Sequence, residues 1–151
     1  MNINELSVVE NSQIGNNTKI WRWSLIRNSS IGNNCTIGSG VIIGPNVFVG
    51  NDCMIEDGSK IYGPCRIGDR VFIGPNSVVV NDNHPKAIFP KVWEPKDGTT
   101  IIEDDSSISS NCTILAGIKI GRNAVVGAGA VVVEDVVSGT TNVGVPSKPI
   151  G

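Results

Sequence analysis

One histidine, His84, stands in 151 residues, and that scarcity removes whole classes of chemistry. A zinc site built on three imidazoles has no ligands here. Cys–His zinc sites fail too, because Cys35, Cys53, Cys65 and Cys112 are scattered rather than paired at ligand spacing. No metal is expected. No apolar run approaches the roughly 18 residues of a membrane-spanning helix. The start, Met1-Asn2-Ile3-Asn4-Glu5, has neither the basic nor the apolar segment of a secretory signal. The expectation is a cytoplasmic protein without membrane attachment. Basic excess is also lacking: 12 Lys and Arg against 14 Asp and Glu leave a net charge of −2. That balance gives no electrostatic footing for nucleic acid or an anionic lipid surface.

What the chain does have is a beat of six. Ile31, Ile37, Ile43, Val49, Ile55, Ile61, Ile67, Ile73 and Val79 recur at constant spacing, and Gly follows six of them. Four residues after each comes Cys35, Val41, Val47, Cys53, Ser59, Cys65, Val71 or Ser77. Noisier hexads precede the run (Val8, Ile14, Ile20, Ile26), with a five-residue step from Ile26 to Ile31. The beat resumes at Ile102, Ile108, Ile114, Ile120, Val126 and Val132. A fixed period of this kind marks a solenoid. Side chains alternate across a strand, so the sixth-residue aliphatics and the residues two before them point inward. Asn33-Asn34, Pro45-Asn46, Asn51-Asp52, Asp69-Arg70 and Pro75-Asn76 are turn formers at the corners.

Three hexads then close one triangular coil, and residues eighteen apart stack. The reading is an all-β parallel β-helix of about six coils, near 30 Å tall at about 4.8 Å per coil. It forms one domain over residues 1–151, with a loop at 80–101 and a Pro-punctuated tail at 138–151. All four cysteines occupy inward positions and are expected to be free buried thiols rather than disulfides.

The break in the beat directs attention to chemistry. About twenty residues without regular structure inside a strict solenoid are usually a functional loop or a disordered one. Pro85, Pro90 and Pro95 with Ile88, Phe89, Val92 and Trp93 argue for an ordered excursion that packs on something. His84, beside Asn81, Asp82 and Asn83 at the mouth of that loop, suits a general base near neutral pH; the bland alternative is a surface histidine in a polar turn. Gly127-Ala128-Gly129 lies in hexad phase with no helix after it, which argues against a dinucleotide loop. Small residues at Ala116, Gly117, Ala128 and Gly129 leave backbone amides open to a thin extended ligand. Outward Trp21 and Trp23, near Arg22 and Arg27, either pack a subunit interface or border a ligand. Exposed Phe48, Met54 and Phe72 argue for self-association.

The hexads, the single histidine in the interrupting loop and the ending Gly-Val-Pro-Ser-Lys-Pro-Ile together resemble the hexapeptide-repeat acyltransferases. The motifs Lys19-Ile20-Trp21, Ser24, Ile26-Arg27, Ile61-Tyr62, Asn81-Asp82-x-His84-Pro85, Ile108 to Gly121 and Val126 to Val132 are similar to nucleotide-sugar N-acetyltransferases. Within that group the motifs notably resemble the enzymes acting on UDP-2-acetamido-3-amino-2,3-dideoxyglucuronate. The resemblance covers residues 8–151. It implies a left-handed β-helix that forms a homotrimer, with acetyl-CoA in the groove between subunits and a UDP- or dTDP-linked amino sugar as acceptor in surface polysaccharide (lipopolysaccharide) synthesis. By that resemblance His84 is the base and Asn81 a polar partner near the acceptor. Arg27, Tyr62 and Asp82 face the nucleotide-sugar. Arg122, Lys119 and Lys148 are candidates for the cofactor phosphates, with Pro146 against the adenine. Rival readings are an O-acetyltransferase of the maltose, galactoside or serine type, and a non-catalytic β-helix scaffold.

Overall fold

The computed structural model describes residues 2–87 and 94–151. Ile88, Phe89, Val92 and Trp93, expected to pack the loop, lie outside the described residues. Short parallel strands of two or three residues wind into a three-faced β-helix. The first face stacks Asn2–Ile3, Lys19–Ile20, Thr36–Ile37, Met54–Ile55, Phe72–Ile73, Ser107–Ile108, Val125–Val126 and Thr141–Val143. The second face runs from Val8–Glu10 to Val131–Val132, and the third from Gln13–Ile14 to Lys119–Ile120.

Register explains the core. On the first face Ile3, Ile20, Ile37, Ile55, Ile73, Ile108 and Val126 pair in series, and Asn142 closes the column. Ile26, Ile43, Ile61, Val79, Ile114 and Val132 do the same on the second face. Nearly all are fully buried, so each coil covers the apolar interior of the one below.

The inward residues two before each aliphatic have a further duty. Thr18, Ser24, Ser59 and Ser77 donate their hydroxyls to corner carbonyls of the coil above, at 2.7–2.9 Å. Cys35, Cys53 and Cys112 point their thiols at the equivalent carbonyls of Gly50, Gly68 and Gly127. Cysteine thus alternates with serine and threonine because it is a small side chain with a donor. All four cysteines are free and buried, as expected.

Corners need left-handed backbone, which costs most L-residues about 1–2 kcal/mol but Gly and Asn/Asp least. Asn17, Asn34, Asp52, Asn76, Asn111 and Asn123 fill these slots at φ 56–58°. Along the edge from third to first face the corner side chains form a ladder. Asn16, Asn33, Asn51 and Asp69 donate their backbone N–H to Oδ1 of Asn33, Asn51, Asp69 and Asp104, one coil up, at 2.7–3.0 Å.

Three expectations are corrected. Seven strands, not six, stack on the second face, and Thr141–Val143 begins an eighth rung on the first. Stacking is 17 residues, not 18, in the first two coils, as Asn2 pairs Lys19 and Lys19 pairs Thr36. Val9, not Val8, starts the second-face column: Val9 pairs Ile26, and Val8 is 47% exposed. The Pro-punctuated tail is not helical: Thr141–Val143 and Lys148–Ile150 form an antiparallel hairpin. Pro149 is tolerated there because Lys148–Ile150 is an edge strand.

Candidate functional site

The departures from regularity collect on one edge, where the second face turns into the third. Five-residue corners occur there in the first two coils (Val9 to Ile14, Ile26 to Ile31), followed by cis Gly44–Pro45 and cis Gly63–Pro64. In the fifth coil the excursion leaves after Val79 and returns at Thr100. Ladder hydrogen bonds align Gly44, Tyr62, Val80 and Leu115 down this edge, with Arg27 beneath Gly44. Arg27, Tyr62 and Asn81 therefore share the edge within four coils. Gly44 sits between Arg27 and Tyr62 with φ +110°, and a Cβ there would collide with the Arg27 carbonyl. The edge is consequently bare between the arginine and the tyrosine.

At the loop mouth each residue is tied down. Asn81 donates through Nδ2 to the Gly63 carbonyl of the coil below (3.3 Å). Asp82 Oδ1 accepts from the His84 N–H (2.8 Å), a turn in which the carboxylate replaces a backbone acceptor. His84 itself is exposed, and among the described residues its ring makes no hydrogen bond. An imidazole held by its backbone and open to solvent can take up a proton from a bound ligand. Asn83, which sequence reasoning passed over, makes three bonds. Its Oδ1 accepts from Ala116 N–H (2.9 Å), its Nδ2 donates to the Ala116 carbonyl (3.2 Å), and its own N–H donates to Asp97 Oδ2 (2.9 Å).

Those bonds overturn one rationale. The amides of Ala116 and Gly117 are not open to a ligand: Asn83 occupies the first, and Thr100 Oγ1 accepts from the second at 3.1 Å. Gly129 N–H is likewise used, donating to the Ser110 carbonyl. Ala128 and Gly129 lie on a different edge, between the first and second faces, above exposed Trp21 and Trp23.

Arg122 lies on the third edge, where it pairs with Asp104 (2.9 Å) and Asp105 (3.5 Å), and Arg70 bridges the same carboxylates. The Asp69 backbone N–H, then Arg122, hold the Asp104 carboxyl below its ordinary range; Arg70 does the same for Asp105. Lys119 pairs with Glu103 at 2.9 Å and lowers its pKa. Lys148 pairs with Glu134 at 3.2 Å beside a cavity of about 180 Å³ under the terminal hairpin, and Pro146 lies in that hairpin's turn. Within this chain, then, Arg27, Tyr62, Asn81, Asp82 and His84 share one edge, whereas Ala116 and Gly117, Ala128 and Gly129, and Arg122 lie on three different edges. The described residues contain no cluster of three His, Cys, Asp or Glu able to hold a metal, and no helix long and apolar enough to cross a membrane.

The family described as bacterial transferase hexapeptide (six repeats) matches residues 11–50, 46–81 and 99–134. A 2,3,4,5-tetrahydropyridine-2,6-dicarboxylate N-acetyltransferase of Clostridium perfringens is 51% identical over 65 residues, covering 42% of this chain and 28% of the relative. A variant of AntD, an N-acyltransferase from Bacillus cereus solved with dTDP and coenzyme A, superposes with TM-score 0.75 at 25% identity, over 94% of this chain and 84% of that one. PerB from Caulobacter crescentus, solved with CoA and GDP-perosamine, gives TM-score 0.69 at 20% identity, over 99% of this chain and 56% of PerB. The match to the curated relative thus spans under a third of that relative's length, and the match to PerB about half of PerB.

Proposed function

This chain belongs to the bacterial transferase hexapeptide family, and on that premise we propose that it is an acetyl-CoA-dependent N-acetyltransferase acting on the amine of a nucleotide-linked sugar. The observation that carries the reading is the single irregular edge, which gathers Arg27, Tyr62, Asn81, Asp82 and His84. The coenzyme A and dTDP bound to AntD, and the N-acetyl transfer named for the Clostridium relative, support donor and reaction class.

The steps follow from the chemistry. A sugar amine is mostly ammonium near pH 7 and must lose a proton before it attacks. His84 accepts that proton, and Asn81 holds the acceptor beside it. The free amine adds to the thioester carbonyl, a donor N–H steadies the oxyanion, and coenzyme A departs as thiol. Arg27 forks onto the nucleotide diphosphate, and Tyr62 packs beside it across the bare Gly44 step.

The scattered cofactor candidates make sense in a homotrimer, where an edge of one subunit meets a different edge of its neighbour. Exposed Phe48 (44%), Met54 (42%), Trp21 (53%) and Trp23 (66%) supply apolar area for that contact. Acetyl-CoA as donor fits a cytoplasmic setting, and the N-acetylated product suits assembly of a surface polysaccharide such as lipopolysaccharide.

The test is thiol release from acetyl-CoA against nucleotide-linked amino sugars, free amino sugars, plain sugars and 2,3,4,5-tetrahydropyridine-2,6-dicarboxylate. Turnover confined to the nucleotide-linked amines is expected, with His84→Ala losing it. Release with hydroxyl acceptors alone would indicate O-acetyl transfer, and no acetyl-CoA binding by calorimetry would leave only a scaffold.

A further inference from the structure

Resting on that functional reading, we propose that Asn83 is a positioning residue for acetyl transfer, acting through a clasp with Ala116 and Asp97 that fixes the turn carrying His84. The side-chain amide of Asn83 offers an acceptor and a donor to the N–H and C=O of one residue, Ala116, as a neighbouring strand would. Its backbone N–H reaches Asp97, 14 residues on, so the two limbs of the excursion meet at this bond. Gly117 lets them close: its φ is +78°, and a Cβ would collide with the Asp97 carbonyl oxygen.

The coil stack does not need the clasp. Val80 N–H already donates to the Ile114 carbonyl on the near side, and Thr100 and Ile101 N–H donate to Pro64 and Ile118 carbonyls on the far side. Only the segment Asn81–His84 depends on it. Asn81 is tied to the coil below and Asn83 to the coil above, and the Asp82–His84 turn hangs between them. Loss of Asn83 frees the imidazole while leaving the solenoid whole.

Four variants in the full-length protein decide this. Asn83→Ala lowers kcat by about tenfold or more, because an ångström of misplacement is that costly, with KM for acetyl-CoA close to wild type and a thermal midpoint lowered only by the few degrees its two lost hydrogen bonds are worth. Asp97→Ala follows it, and Asp97→Asn, whose amide oxygen still accepts from Asn83 N–H, recovers most of the lost rate. Added to His84→Ala, Asn83→Ala slows the reaction no further, since a residue that works through the imidazole is silent without it. Hydrogen exchange at Ala116 and His84 amides quickens in Asn83→Ala while that at Val80 does not. Unchanged kcat in Asn83→Ala, additive losses in the double variant, or a rate loss that disappears when the assay is run well below the variant's thermal midpoint each overturn the positioning role. A wild-type protein that transfers no acetyl group overturns the functional reading instead. The clasp is then judged by exchange alone, and unaltered Ala116 and His84 protection refutes it.

Discussion

Gly117 and Gly129 form a matched pair on which the packing account can be tested. Both take left-handed φ, +78° and +73°, so alanine at either pays the same backbone cost, about 1 kcal/mol. Their surroundings differ. A Cβ on Gly129 meets nothing within 4 Å, whereas one on Gly117 would lie under 3.0 Å from the Asp97 carbonyl oxygen. Relief of that clash pushes the far limb of the loop outward. Two hydrogen bonds are then at risk, Gly117 N–H to Thr100 Oγ1 and Asn83 N–H to Asp97 Oδ2, each worth about 1 kcal/mol. Gly129→Ala should therefore cost about 1 kcal/mol and Gly117→Ala about 2–3 kcal/mol. At 2–4 °C per kcal/mol for a chain of this size, the thermal midpoints should fall by about 2–4 °C and about 4–12 °C respectively. Turnover separates them further: only Gly117→Ala should lose about tenfold or more in kcat, through displacement of the Asn83 clasp. Circular dichroism melts and a thiol-release assay measure both. Equal destabilisation with unchanged turnover in the two variants would refute the reasoning.

Ile55, fully buried between Ile37 and Ile73, should cost about 2–5 kcal/mol as alanine. The same change at Ile3, half-buried in the first coil, should cost distinctly less; urea midpoints compare them, and equal costs would contradict a stacked column. The carboxyls of Asp104, Asp105 and Glu103 are held below their ordinary range by a backbone N–H and by cations. Their contribution is complete above the unfolded carboxylate pKa, near 4, and is lost as pH falls through the lower folded values. Urea midpoints should thus drop on acidification below about pH 4, and Arg70→Ala should flatten that limb; an unchanged slope argues against the network. Cys35, Cys53, Cys65 and Cys112 are at most 2% exposed, and burial pushes the Cys65 thiol up to about 12. Because the interior excludes a reagent from all four, a thiol reagent should label none of them until denaturant is added. Rapid labelling of native protein would show the interior to be open.

Much of the fold was legible because a triangular coil sets an inward aliphatic at every sixth residue, from Ile31 to Val79 and again from Ile102 to Val132. Phase slipped only where the five-residue corners shorten the coil to 17 residues. There adjacent Val8 and Val9 compete for one inward place, and the count of four hexads misassigns it. The terminal hairpin was hidden because Pro149 lowers strand propensity and the pairing is antiparallel, outside the beat.

At the site, the loop and its lone histidine were visible as a break in period, and Arg27 and Tyr62 fall on the same edge by arithmetic alone. Asn83 was not visible, because its partner lies 33 residues away and meets it only once the coils stack. Arg122 looks like a free cation in the sequence. Asp104, 18 residues earlier and thus one coil below, was the available sign that it is spoken for.

A structure of the complex with coenzyme A and a nucleotide-linked amino sugar tests the central claim most directly. The account places the coenzyme A sulfur and the sugar amine at the edge holding Arg27, Tyr62 and Asn81, with the amine within direct or single-water hydrogen-bond reach of the His84 ring. Coenzyme A seated elsewhere, with His84 facing bulk solvent and the edge vacant, would contradict it.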